Sequence, residues 1–197
     1  MHSPSKKDKK VTCDEDRQTI VRVVWDINTC PSRDNDNNNV YDVDQMPNFI
    51  NKALKHLHPN LKVENPMFAA GDVKLLHFGD YEKLKKFFTI QHCDSRSFRC
   101  KDCKTKMNPP TKTTDEVLMT LQNHLLEDAI DRGSPGIVLL ISADFDFAVS
   151  LDYLRDNGFT VLLAQAENSN PNFPKHSNYT YIWKNMRLGD APTYQLI

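Results

Sequence analysis

Residues 136–147 read GIVLLISADFDF, and few architectures accept such a stretch. The run from Ile137 to Ile141 has no polar side chain, so a strand built from it has no face to offer water. A short apolar run bounded by Gly and a polar turn predicts a strand covered on both sides, as in a parallel sheet. In an open α/β sheet, ligands gather beyond the carboxyl ends of the strands. Asp144 and Asp146 leave this strand at that end, next to Ser142. Two carboxylates so close are costly to desolvate unless a cation or a partner neutralises them.

The rest of the chain supplies the partners such a strand needs. Residues 19–25, TIVRVVW, are β-branched and apolar apart from Arg22 and predict another buried strand, closed by Asp26. Residues 30–39 include DNDNNN and read as a surface loop. Residues 44–57 carry Met46, Phe49, Ile50, Ala53, Leu54 and Leu57 at helical spacing, with Asp44 as a candidate cap and Pro47 in the first turn. A strand is predicted at 66–71, a helix at 80–88 with Lys83, Lys85 and Lys86 outward, and a strand at 89–93. Thr114 caps the strongest helix, whose stripe is Val117, Leu118, Leu121, Leu125, Ala129 and Ile130, with His124 on the surface. A helix at 146–156 buries Val149, Tyr153 and Leu154 and stops before Gly158. Residues 159–164 form a further strand, and a short element lies within 179–188. Strand and helix alternate, which predicts α/β architecture: one three-layer, Rossmann-like domain over residues 19–189, its central sheet mostly parallel and flanked by helices. Residues 1–18 are expected to be a disordered basic arm, 94–112 a basic insertion containing cysteine, and 190–197 a tail.

Composition narrows the function by exclusion. Lys and Arg number 25 against 26 Asp and Glu, so global charge names no partner. Six glycines include no Walker loop and no GxGxxG, which removes the usual nucleotide-phosphate cradles. No run is apolar and long enough to span a bilayer, and no export signal is visible, so an intracellular, soluble protein without membrane partners is expected. In that setting five cysteines read as thiols or metal ligands rather than disulfides.

Acids now converge on one predicted sheet edge. Asp26 closes the first strand, Asp115 opens the strong helix, and Asp144 and Asp146 follow the central strand. Hard divalent ions such as Mg²⁺ and Mn²⁺ take carboxylate and water oxygens, and two such ions can clamp an in-line displacement at phosphorus. Basic residues beside the acids, including Lys104, Lys106 and Lys112, suit a nucleic-acid backbone. Each acid also has a plain structural use: Asp26 ends a strand, Asp115 compensates a helix dipole and Asp146 caps a helix.

Several pieces together resemble the NYN domain, a PIN-like nuclease class, in its plant and limkain-type form: VVWDINTC at 23–30, FAAGD at 68–72, KTTD at 112–115, LLISADFDFAVSLDYLRDNGFTVLLAQ at 139–165, and, more weakly, WKNMRLG at 183–189. The resemblance implies a Rossmann-like PIN fold and metal-dependent cleavage of RNA. By motif position it assigns Asp26, Asp115, Asp144 and Asp146 as catalytic and Mg²⁺- or Mn²⁺-binding. Asn28, Thr29, Lys104, Lys106, Lys112 and Ser142 fall on the RNA side. Thr29 stands where the family's Asp-x-x-Asn pattern has its Asn, and Asn28 comes one place early. The leading expectation is therefore a divalent-metal-dependent endoribonuclease acting on single-stranded RNA, with a homodimer also allowed. One rival is a weakly active or inactive RNA-binding or adaptor module of the same fold. A second, an Asp-x-Asp phosphohydrolase, fails because Asn28 occupies the position of its second acid.

Cys93, Cys100, Cys103 and His92 present half a structural zinc site, Cys-x-x-Cys with two neighbours. Adjacent His92 and Cys93 would point to opposite faces of a strand, which opposes joint ligation. Phe145 and Phe147 alternate with the acids and are read as packing under the sheet edge.

Overall fold

The computed structural model describes residues 18–33, 42–94, 112–132 and 136–196. At its centre, β1 (Thr19–Asp26) lies parallel to β5 (Ile137–Ile141), with Trp25 opposite Ile141. All five residues of β5 are buried. Around this pair run β2 (Leu61–Val63), β3 (Met67–Gly71), β4 (Phe88–His92), β6 (Thr160–Gln165), β7 (Tyr179–Ile182) and β8 (Tyr194–Gln195). The order is β4-β3-β1-β5-β6-β7-β8, parallel throughout except for the antiparallel edge pair β7 and β8.

Helices cover both faces. On one, α1 (Met46–Lys55), α2 (Asp80–Leu84) and α5 (Trp183–Met186) bury Ile50, Leu54, Leu84, Trp183 and Met186 against Val23, Trp25 and Leu139. On the other, α3 (Asp115–Arg132) and α4 (Ala148–Asp156) bury Val117, Leu121, Leu125, Leu151 and Leu154 against Val24, Leu140 and Leu163. Because consecutive side chains of a strand point to opposite faces, the unbroken apolar runs of β5 and β6 serve both cores at once. The architecture is the expected α/β sandwich around a mostly parallel sheet.

The same side of β1 is shared by two short strands. β2 pairs with its beginning, Thr19–Val21, and β3 with its end, Val24–Asp26. Between them the Glu64 carboxylate accepts from Val23 N at 3.1 Å and from Arg22 Nε at 3.3 Å. A side chain thus satisfies a donor that a continuous strand would have taken.

Several expectations are corrected. α2 ends at Leu84 rather than 88, and Phe88 opens β4, where its ring packs 5.2 Å from that of Trp25. β2 lies in a stretch to which no element was assigned and β8 in the expected tail; each is too short to carry an alternation signal. Asp42, not Asp44, caps the 3-10 turn that leads into α1. α4 starts at Ala148, because a 3-10 turn, Phe145–Phe147, intervenes and its cap is Asp144 rather than Asp146. That turn rotates the buried face of α4 onto Ala148, Leu151 and Leu154, and leaves Val149 and Tyr153 exposed. Ile130 is also exposed. His124 is half-buried, its ring stacked 3.8 Å from that of Phe68.

Candidate active site

Connections from β1 lead first to β3 on one side, and β5 then enters on the other. The carboxyl ends of β1 and β5 therefore flank the crevice where a doubly wound sheet receives ligands. Asp26 terminates β1 there, fully buried. Its carboxylate accepts five hydrogen bonds. Oδ1 takes Asn28 N at 3.0 Å, Thr29 N at 3.4 Å and Thr113 Oγ1 at 3.2 Å; Oδ2 takes Thr29 Oγ1 at 2.6 Å and Ser142 Oγ at 2.9 Å. Burial pushes the Asp26 carboxyl up to about 6, against the opposing pull of the Thr29, Ser142 and Asn28 hydrogen bonds.

The ties extend outward from this carboxylate. Thr29 Oγ1 also accepts from Ala143 N at 2.9 Å, which joins the turn after β1 to the end of β5. Asn28 donates through Nδ2 to Thr113 Oγ1 at 3.3 Å and accepts at Oδ1 from Asp72 N at 2.8 Å. Gly71 makes that approach feasible: at φ 149° it has the backbone freedom of glycine, and a Cβ there would stand 2.8 Å from Asn28 Oδ1. Asn28 and Thr29 thus work here as braces.

Asp144 sits one step further out, 2 % exposed. Its Oδ2 accepts from Thr113 N at 2.7 Å and its Oδ1 from Asp146 N at 2.9 Å. Desolvation raises its carboxyl above the ordinary range. Asp146 is exposed, and its Oδ2 lies 2.8 Å from Lys112 Nζ. That contact holds the Lys112 ammonium above its usual value, so it stays cationic. Lys112, Asp144 and Asp146 line an open hollow together with Phe145 and the connection after β6, from Asn168 to Pro171.

Residues 20–183 match the NYN domain family, which is most of the chain. The chain belongs to the NYN domain family. That family lies in the PIN-like superfamily, whose members are in general nucleases that use divalent metals. A crystal structure of a protein of unknown function from Vibrio parahaemolyticus resembles this fold with a TM-score of 0.50 at 11 % identity, covering 86 % of this chain and 95 % of that one. At that identity the likeness speaks for the fold alone. No curated protein matches the chain.

In this NYN domain the expected acids fall into two sets. Asp144 and Asp146 share the hollow, whereas Asp26 is enclosed behind Thr29, Thr113 and Ser142. Asp115 is exposed in the first turn of α3 and does not line the hollow. Among the described residues, no group of three or more His, Cys, Asp or Glu side chains is placed to hold an ion. Lys104, Lys106, Cys100 and Cys103 lie outside the described residues. Of the zinc candidates that remain, Cys93 is buried and His92 exposed, as opposite faces of an extended backbone require. Burial also raises the Cys93 thiol, which opposes the thiolate that zinc needs.

The donor set at the hollow still suits a hard cation. A carboxylate offers about four lone-pair sites. Asp144 spends two on backbone N–H groups, which leaves one on each oxygen. Mg²⁺ typically binds through one or two carboxylates plus waters and substrate phosphate. Asp144 and Asp146 meet that description; Asp26, with five donors on it, has no site left. Sequence reasoning missed Thr113, which contacts both Asp26 and Asp144. Its signal lies in KTTD, where it stands between the charged Lys112 and Asp115 and carries no charge to mark it.

Proposed function

We propose that this NYN domain is a divalent-metal-dependent endoribonuclease that hydrolyses phosphodiester bonds of single-stranded RNA at the hollow of Lys112, Asp144 and Asp146. The observation that supports this reading best is Asp144 itself. It is a desolvated carboxylate, fixed by two backbone N–H groups, that keeps a lone pair on each oxygen at the switch point of the sheet. Asp144 and Asp146 are the residues that would hold Mg²⁺ or Mn²⁺, which when bound would supply Lewis-acid polarisation of the phosphate and an acidified water. Lys112, exposed and cationic, draws the phosphate backbone in and exchanges its contact with Asp146 for one with phosphate. Asp26 acts one layer behind, aligning the turns that carry Thr29, Thr113 and Ser142, and so fixes Asp144 through Thr113 N.

Replacing Asp144 with Asn is expected to abolish Mn²⁺-dependent cleavage of single-stranded RNA, with the circular dichroism spectrum preserved. A wild-type rate in nuclease-free preparations of that variant rejects the assignment. One arrangement favours the second reading, an RNA-binding module without turnover: Asp26 is saturated with hydrogen bonds and Asp115 does not line the hollow. That reading expects RNA retention in a gel that is indifferent to Mn²⁺ and unchanged when Asp144 and Asp146 are both replaced by Asn.

A further inference from the structure

The aromatic residue between the two acids of the hollow is only partly covered by the fold. Phe145, expected to pack beneath the sheet edge, does pack in part against the core of that face, but it is only half-buried and lines the hollow of Asp144 and Asp146. By contrast, Phe147 is fully buried. Two rings hold Phe145 from the side: Phe173 at 5.8 Å with planes 70° apart, and His176 at 5.4 Å with planes 75° apart. Among the described residues, no ring lies parallel to it. His176 is itself anchored, with Nδ1 2.8 Å from Asp152 Oδ2. The Phe145 ring is thus held from the side by its neighbours, in a residue that lines the hollow.

A second observation comes from the same wall. Ser169, in the connection after β6, lines the hollow, and its Oγ is buried without a hydrogen-bond partner. Its backbone N–H is already engaged by Ala166 O at 3.1 Å, so the hydroxyl alone is left over. A buried hydroxyl without a partner costs free energy that a ligand's polar group would recover.

We infer that Phe145 and Ser169 form a nucleoside subsite: the Phe145 ring stacks the base of the nucleotide next to the scissile phosphate, and Ser169 Oγ, once its side chain turns about χ1 towards the hollow, hydrogen-bonds its ribose or base edge. The inference rests on the nuclease reading for its substrate. It adds the group that holds a flexible single strand in register beside Asp144. Chain geometry limits the choice of nucleotide, since Phe145 is flanked by the two acids in sequence and a stacked base there belongs to a nucleotide adjoining the reacting phosphate. Every base has a π-face, so the subsite tolerates any sequence and selects for unpaired strands, whose bases are free to stack. Base–aromatic stacking is worth about 1–3 kcal/mol, which corresponds to about fivefold or more in affinity.

The test uses a short single-stranded RNA that carries one 2-aminopurine, whose fluorescence is quenched on stacking. Binding is followed with Ca²⁺ in place of Mn²⁺, and cleavage with Mn²⁺. Phe145→Leu is expected to raise KM by about fivefold or more, to leave kcat nearly unchanged, and to lose the quench. Phe145→Trp is expected to keep both. Ser169→Ala is expected to raise KM without loss of the quench. If the wild-type protein cleaves and Phe145→Leu matches it in KM and quench, the subsite is overturned and the nuclease reading stands. If the wild type quenches without cleaving and Phe145→Leu does not quench, the subsite stands and the nuclease reading falls. If the wild type does neither, both fall. Should Phe145→Leu fail to fold, Phe145→Trp and Ser169→Ala decide, and a Trp variant that loses the quench overturns the subsite.

Discussion

Asp26 carries a charge where no water reaches it. The carboxyl stands near 6 in the fold against 3.8 in an ordinary setting, so the folded chain binds more protons than the unfolded chain between those values. Stability is therefore greatest below about pH 4 as far as this group is concerned, and it falls as pH rises towards 6. From the size of that shift, the ionised form costs roughly 2–3 kcal/mol at neutral pH. An Asn at position 26 is isosteric, keeps an acceptor for the backbone N–H groups, and turns a donor towards Thr29 and Ser142. We expect Asp26→Asn to raise the melting temperature at pH 7 and to flatten its dependence on pH between 4 and 7. Urea unfolding of both proteins across that range checks it. A variant less stable than wild type at pH 7 would mean that the hydroxyl cage already compensates the burial. The chain keeps the destabilising form, a pattern expected where a functional site works against the fold.

Elements show where sequence patterns were informative and where they stopped. The apolar run of β5 leaves a strand no freedom, so its place was legible, as was the stripe of Val117, Leu121 and Leu125 on α3. α4 was legible as a helix but not in its facing. The turn at 145–147 shifts the helix start, and a helical wheel read from the wrong residue buries Val149 and Tyr153, which the structure exposes. β2 and β8 are set by pairing with distant strands, and such pairing leaves little trace in two or three residues. Contacts between elements were hidden altogether. Arg33, in the turn after β1, grips Asp80 at the start of α2 through two hydrogen bonds of 2.7 Å and 2.6 Å. The Asp80 side chain is 2 % exposed and that of Arg33 30 %, so removing either partner has unequal consequences. Arg33→Ala strands a buried carboxylate and is expected to cost about 3 kcal/mol. Asp80→Asn leaves the less buried partner behind and costs less. Chemical denaturation of the two variants side by side tests the order.

At the scale of the whole molecule, the fold follows from the alternation of strands and helices, and the crevice follows from the strand order. Asp26 was legible because it ends β1, and Asp144 and Asp146 because they lie in the turn that follows β5. Their division into an enclosed member and a pair that lines the hollow was not, since it depends on the hydroxyls of Thr29, Thr113 and Ser142. Hydroxyls of that kind are common enough in sequence to pass unnoticed. The sheet's far edge supports a separate expectation. β8 pairs with β7, and nearby Thr193 N and Leu196 N donate to Thr180 O at 2.8 Å and to Asn178 O at 3.0 Å. Removing residues 190–197 uncovers the β7 edge, and an uncovered edge invites pairing with another chain. Sedimentation velocity should show concentration-dependent self-association of the shortened protein and a single slower species for the full chain. No described helix is long and apolar enough to cross a membrane.

Asp26 meets Thr113 across a sequence separation of 87 residues, and Ser142 across 116. During synthesis, Asp26 therefore waits for most of the polypeptide before its carboxylate is enclosed. A nascent chain on the ribosome, even one whose first strands have collapsed, has no aligned Asp144 to offer. The alignment of Asp144 through Thr113 therefore forms only once these distant segments have come together.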